Sequence, residues 1–314
     1  MKILGQKPAL TYLMRGLAHG TLSPSLIFVG PAGVGKKTVA VELAKSFSCL
    51  NPVRLKKNDV DLPRCHRCSS CERIGRNNHT DVLLIDRAAQ AAVLREKEET
   101  QTALKIETIR QVDKFLRIKP LESPRRVAII DEADLLTIEA ANAMLKVLEE
   151  PPANAQIILL VERLRNIPPT VQSRCAVLHF KPVASGDLAL WLHEEQGVSM
   201  DHALEVAQRS GGSFSKALAL KDDDAPEVDL SSFDMDEFFS WLGEASWRKE
   251  GRKRAERVLT ALIEEAERQL SSGDLEQAGR IKLLLSARRC LDHHVNPRLV
   301  LEDLFVKMRV PVGS

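Results

Sequence analysis

Two groups of residues in this chain have types and spacings that can do chemistry. The first is Gly30-Pro31-Ala32-Gly33-Val34-Gly35-Lys36-Lys37-Thr38. Glycines let backbone amides curl around phosphate oxygens, and a helix starting behind the loop adds the positive end of its dipole. Lys36 is placed to reach the β- and γ-phosphates of a nucleotide. The strict pattern puts Ser or Thr at the next position to hold Mg2+. Here that position is Lys37, and the hydroxyl comes one later, on Thr38. The extra lysine either brings positive charge to the site or points into solvent. Asp131-Glu132-Ala133-Asp134 forms the acidic counterpart. An acid at a strand end can hold Mg2+, and its neighbour can orient an attacking water. These residues predict ATP with Mg2+, bound by Gly30, Gly33, Gly35, Lys36, Lys37, Thr38 and Asp131, with Glu132 as the candidate catalytic group.

The second group is Cys65-x-x-Cys68-x-x-Cys71, with Cys49 upstream of it. Four thiolates can close a tetrahedral zinc site, and no ligand position is left open, so the predicted zinc is structural. His66 is the reserve ligand. Cys175 and Cys290 lie far along the chain and read as small buried hydrophobes. Crowded thiols of this kind suit a reducing compartment, where metal is a better reading than disulfides.

Positioning these groups takes a sheet and helices. Five short apolar runs occur in the first 180 residues: Leu26-Ile27-Phe28-Val29, Val82-Leu83-Leu84-Ile85, Val127-Ala128-Ile129-Ile130, Ile157-Ile158-Leu159-Leu160 and Val177-Leu178-His179-Phe180. Unbroken apolar strands predict a parallel sheet covered on both faces. Helices are expected between them at 36–47, around Ile106 to Leu116, and at 138–150, the last halted by Pro151-Pro152. The alternation means an α/β fold. Past Lys181-Pro182 only helices are expected, at 187–195, 202–210 and 214–220, then in a charged tail at 252–270 and 275–293. Residues 221–226 read as a linker and 248–254 as the solvated start of a charged helix. Val258, Leu262, Leu283, Leu284 and Leu285 read as core and subunit contact.

The chain has 314 residues and a mass of 34.9 kDa, room for two or three domains. Its net charge of +2 and its 4% aromatic content count against an open polyanion-binding or base-stacking surface. No apolar run approaches the length of a membrane span, and the N-terminus does not read as a signal peptide. A cytoplasmic location is expected.

Further residues carry a resemblance. Gly5-Gln6 opens the chain, the cysteines follow the phosphate-loop helix, Leu148-Glu149-Glu150-Pro151-Pro152 follows the acidic pair, and Ser173-Arg174-Cys175 precedes the fifth run. Together, over about residues 3–220, these resemble the AAA+ subunits of bacterial DNA polymerase III clamp loaders. The resemblance implies an AAA+ domain over 1–181 with a zinc module at 49–71, a helical lid over 182–222 and a helical collar over 223–314. It implies a ring with gamma/tau and delta subunits as partners, acting on a sliding clamp and, through the complex, on primed DNA. It also implies that Arg174 enters the ATP site of a neighbouring subunit, in trans. Two kinds of subunit differ within the family. The gamma/tau motor usually has Thr at the end of the fourth strand, where this chain has Val161-Glu162, and it carries Gly-Ser-x-Arg where this chain has Gly212-Ser213-Phe214-Ser215. It also continues beyond this length. These departures point to a delta-prime-like subunit with weak or purely structural ATP binding. Lys36, Asp131 and Glu132 argue for the alternative, an ATP-hydrolysing motor. An alternative of another class is a zinc-dependent nucleic-acid-binding module on an inactive scaffold.

Overall fold

Runs of Ile, Leu and Val without turn residues favour strands that can bury both faces. The computed structural model buries the three central strands on both faces and leaves the edge strands, 82–85 and 176–179, half-buried. It describes residues 3–53, 60–94 and 103–221, and toward the C-terminus 255–256, 258–260, 262–263, 266, 270, 277–292 and 295–309. The expected linker at 221–226 and basic run at 248–254 lie outside the described residues, apart from Lys221. The chain divides into two compact units, residues 1–223 and 224–314.

The first unit begins with α1 (Lys7–His19), β1 (Ser25–Val29) and α2 (Lys36–Ser48). Next come α3 (Ser69–Gly75), β2 (Val82–Ile85), α4 (Arg87–Leu94), α5 (Ile106–Arg117) and β3 (Arg126–Ile130). A short 3-10 turn at Ala133–Leu135 leads to α6 (Ile138–Glu149) and β4 (Ala155–Val161). The short α7 (Pro169–Gln172) and β5 (Ala176–His179) complete the α/β part. The five strands are all parallel, in the order β2-β3-β4-β1-β5, as the apolar runs predict.

The strand period of two divides the central strands between two cores. Ile27, Val29, Ile157, Leu159 and Val161 face Ile109, Val112, Leu116, Met144 and Val147 of α5 and α6. Leu26, Phe28, Ile158 and Leu160 face Leu10 and Leu13 of α1 and Val39 and Leu43 of α2. Burying each such side chain contributes roughly 1.5–3 kcal/mol, so the sheet is a rigid platform. Because the strands run one way, their C-terminal ends share one edge of the sheet. Gly30, Asp86, Asp131 and Glu162 each follow a strand there.

Helices α8 (Ser185–Gln196), α9 (Met200–Arg209) and α10 (Phe214–Leu220) surround a small core of their own, including Leu188, Leu192, Val206 and Ala217. In the second unit, the described helical residues Ala255, Val258, Leu259, Leu262, Ile263 and Ala266 pack with α11 (Gln277–Asp292) and α12 (Pro297–Arg309). Val258, Leu262 and Leu284 are buried there, Leu283 is half-buried and Leu285 is exposed. Cys290 is exposed, against the expectation of a buried thiol, because it sits on the outer face of α11. Among the described residues, no helix is long and apolar enough to cross a membrane.

Candidate functional site

The phosphate loop leaves β1 through Gly30, whose amide donates to the Val161 carbonyl at 3.2 Å. A Cβ on Gly30 would lie 2.3 Å from the Phe180 carbonyl oxygen, so only glycine passes there. Gly33 has φ +75°, and a Cβ on it would lie 2.2 Å from Ser213 Oγ. Gly35, at φ +98°, precedes the first turn of α2. Lys36 is buried and folds back over the loop, donating to the carbonyls of Gly30 at 2.5 Å and Pro31 at 2.8 Å. Burial lowers its pKa against the pull of Glu162, Asp131 and Asp134.

Lys37 reaches across to the neighbouring strand ends. Its Nζ lies 3.1 Å from Asp86 Oδ2 and 3.3 Å from Asp131 Oδ2. Partial burial lowers the lysine's pKa, but the two carboxylates outweigh it and the pKa is raised. Asp131 Oδ1 accepts the Glu132 amide. Glu132 has φ +49°, and its carboxylate takes a two-point ion pair from Arg87, at 2.5 and 2.9 Å.

Above the loop lies a cavity of about 710 Å³. Gly33, Gly35, Lys36, Lys37, Thr38, Asp131 and Glu132 line its polar side, and Ile3, Leu4, Val41, Trp191, Phe214 and Leu218 its apolar side. Trp191 and Phe214 meet edge to face at 5.1 Å. The start of α10 closes on the loop. The Phe214 amide donates to the Gly33 carbonyl at 2.8 Å, and Ser213 Oγ to the Ala32 carbonyl at 3.2 Å. Gln6 ties the N-terminus to the loop and to the segment after β5, donating to the carbonyls of Val34 at 3.3 Å and Lys181 at 2.7 Å.

The loop, the helix start behind it and the half-apolar cavity fit a nucleoside phosphate. The metal position is different. Position 37 offers no hydroxyl, and the acids beside it are held by an ammonium, so these residues do not form a divalent-cation site.

The four cysteines come together. Cys49 ends α2, Cys68 caps α3, and the sulfurs of Cys49, Cys65, Cys68 and Cys71 all lie within 4.8 Å of one another. Zinc bonded to four thiolates at about 2.3 Å needs sulfurs roughly 3.8 Å apart, so small settling would fit the ion. Backbone amides already serve the sulfurs: that of Cys65 donates to Cys49 Sγ at 3.3 Å, and that of Cys71 to Cys68 Sγ at 3.5 Å. Burial opposes ionisation of Cys68, but such amides bring its pKa down to about 6, while burial first and then the neighbouring thiols push Cys71 up to about 12. His66 stands outside this group and turns Nδ1 toward Glu42 at 3.5 Å. Arg64, with its side chain 1% exposed, bonds Glu42 of α2, Asp61 and the Leu62 carbonyl. The module is thereby fastened to the helix whose other end is the phosphate loop.

Arg174 lies at the end of α7. It donates to the Thr170 carbonyl and to Glu149, each at 2.8 Å, and is not among the residues lining the cavity. Cys175 is half-buried, and burial pushes its thiol up to about 12.

A sequence model of the family described as "DNA polymerase III, delta subunit" matches residues 5–184, more than half of the chain. The chain belongs to this family of clamp-loader-type DNA polymerase III subunits. It is 30% identical over 225 residues to the DNA polymerase III subunit tau of Salmonella typhimurium, covering 70% of this chain and 32% of that one. It is 31% identical over 225 residues to the tau subunit of Bacillus subtilis, covering 70% and 36%. The chain thus spans about a third of the length of these tau relatives. A solved gamma subunit-related protein from Thermotoga maritima matches 96% of this chain and 98% of its own, with a TM-score of 0.57 and 19% identity. That likeness shows a shared fold.

For a member of this family, the structure gathers Gly33, Gly35, Lys36, Lys37, Thr38, Asp131 and Glu132 at one cavity, with Gly30 beneath it as an acceptor for Lys36, and the four cysteines at a second place. Asp86 and Arg87, which hold Lys37 and Glu132, are not apparent from motif spacing. The signal available was positional: Asp86 follows the second apolar run as Asp131 follows the third.

Proposed function

We propose that this chain works as a delta-prime-like subunit of the clamp loader serving the replicative DNA polymerase III. In this reading an AAA+ domain over 1–181 carries a zinc module, 182–222 forms a lid, and 223–314 is a collar that holds the chain in a ring. Its partners are gamma/tau and delta subunits. The complex acts in the cytoplasm, opening a sliding clamp and closing it on primed DNA. Cys49, Cys65, Cys68 and Cys71 hold a structural zinc.

The observation that carries the reading is the two-point pairing of Glu132 with Arg87. The acid that would orient water in a motor is held by its own chain. Glu162, directly after β4, adds a further negative charge to the cavity lining. Nucleotide in this loop therefore shapes the ring rather than driving it. Arg174 supplies its guanidinium to the ATP held by a neighbour, exchanging Glu149 for the γ-phosphate.

The test is ATP turnover by the reconstituted complex carrying Arg174→Ala. An arginine supplied in trans is worth about 10³ to 10⁵ in rate, so turnover at that site should fall by at least a hundredfold. Unchanged turnover refutes the assignment. If the purified chain alone hydrolyses ATP and Lys36→Ala abolishes this, the motor reading replaces it.

A further inference from the structure

We propose that the Lys37 ammonium takes the place of the divalent cation, so that this loop receives a nucleoside di- or triphosphate without Mg2+. The inference rests on the proposed binding of nucleotide by the loop, and goes beyond it in naming the form of the ligand.

Three observations carry it. Lys37 Nζ stands between Asp86 and Asp131, 3.1 and 3.3 Å from their carboxylates, bridging the ends of β2 and β3. An acid at the end of β3 is where the motif expects metal. The hydroxyl that would complete a metal shell is absent from position 37. Lys37 also lines the cavity directly after Lys36, in the first turn of α2, so its charge borders the space the phosphate loop encloses.

A divalent ion entering here would have to displace the ammonium from both acids and then sit beside it. Like charges so close repel, and Mg2+ tolerates little departure from octahedral oxygen ligands. The acids facing the cavity are Asp131, Asp134, Glu132, Glu162 and Glu42, with Lys36, Lys37 and Lys45 as cations. A metal-free polyphosphate finds Lys36, Lys37 and the amides of the loop and helix start. A magnesium-bound one brings a cation that meets Lys37. The same lysine stands in for the Lewis-acidic metal that phosphoryl transfer uses, which is consistent with binding without turnover.

The experiment is equilibrium binding of a fluorescent ADP and a fluorescent ATP analogue to the full-length, zinc-loaded chain. Buffers are freed of Mg2+ over a chelating resin, since EDTA would threaten the cysteine site, and then supplemented with millimolar Mg2+. The expected result is a Kd that changes less than about twofold with Mg2+ in the wild type and tightens about tenfold or more with Mg2+ in Lys37→Thr. As a second readout, Mn2+ bound in the nucleotide complex, followed by electron paramagnetic resonance, should appear with Lys37→Thr and not with the wild type. Binding by the wild type that tightens tenfold with Mg2+ overturns this inference and leaves nucleotide binding standing. A Lys37→Thr chain without Mg2+ dependence also overturns it. No binding at millimolar nucleotide overturns both this inference and the nucleotide part of the proposed function.

Discussion

The contact between Arg64 and Glu42 allows a stability prediction with a worked size. Arg64 is 1% exposed in its side chain and Glu42 9%, and the guanidinium also engages Asp61 and the Leu62 carbonyl. Truncating Arg64→Ala leaves Glu42 buried with its partners reduced to Lys45, at 2.8 Å, and the half-exposed His66, at 3.5 Å. Breaking one side of a buried ion pair costs about 3–5 kcal/mol, and the surviving lysine argues for about 3. For a unit the size of residues 1–223, each kcal/mol moves Tm by roughly 2–4 °C, giving a fall of roughly 6–12 °C. The assay is differential scanning calorimetry with zinc in excess, on Arg64→Ala, Glu42→Ala and the double variant. The two losses should fall short of additivity by more than about 1 kcal/mol, because removing both charges leaves neither stranded. Arg64→Lys should not rescue, because an ammonium cannot fork between Glu42 and Asp61 as a guanidinium does. A Tm for Arg64→Ala within about 2 °C of the wild type, or additive losses, would refute the view that this clamp fastens the cysteine module to α2.

Two more outcomes follow from other sites. Metal analysis of the purified chain should give one zinc per chain, lost with Cys68→Ser, and chelation should lower Tm while releasing the thiols to a colorimetric reagent; a metal-free chain with the same Tm would sink the structural role. Asp81 is buried and accepts the amides of Leu121, Glu122 and Ser123, with Arg126 at 3.6 Å; burial opposes its ionisation, but these partners win and hold its pKa below the usual aspartate value. Its stabilisation is therefore present above that usual value and lost as pH falls below it, and Asp81→Asn should cost about 1–3 kcal/mol at neutral pH and flatten the acid limb of the Tm–pH profile.

The five strands are legible in the sequence because each is an unbroken apolar run, a signal that is local. The same holds for α2, α5 and α6 and for the cysteine spacing. What the sequence conceals is of two kinds. Short helices such as α3 and α4 have too few turns for periodicity, and α3 exists because Cys68 caps it beside the other thiols. Even α1, with Leu10 and Leu13 on one face, is easily passed over ahead of a stronger motif. The second kind is pairing between distant residues. Lys37 meets Asp86, and Arg87 meets Glu132, because β2 and β3 are adjacent and end at the same edge. Without that adjacency, Lys37 reads equally well as added charge or as a solvated side chain. Cys290 shows the converse error: burial inferred from residue type fails on the outer face of a helix.

The two hydrogen bonds from Ser213 and Phe214 to the carbonyls of Ala32 and Gly33 make the phosphate loop and the helix start of α10 a latch. A loop that must turn its peptides toward an arriving phosphate has to let go of α10, and α10 is packed with α9 through the small core around Ala217. The loop and the three-helix body are thereby joined by hydrogen bonds, and Gln6 ties Val34 of the loop to Lys181, just ahead of that body. Whatever the loop holds, its position and that of the three-helix body are in this way read out together.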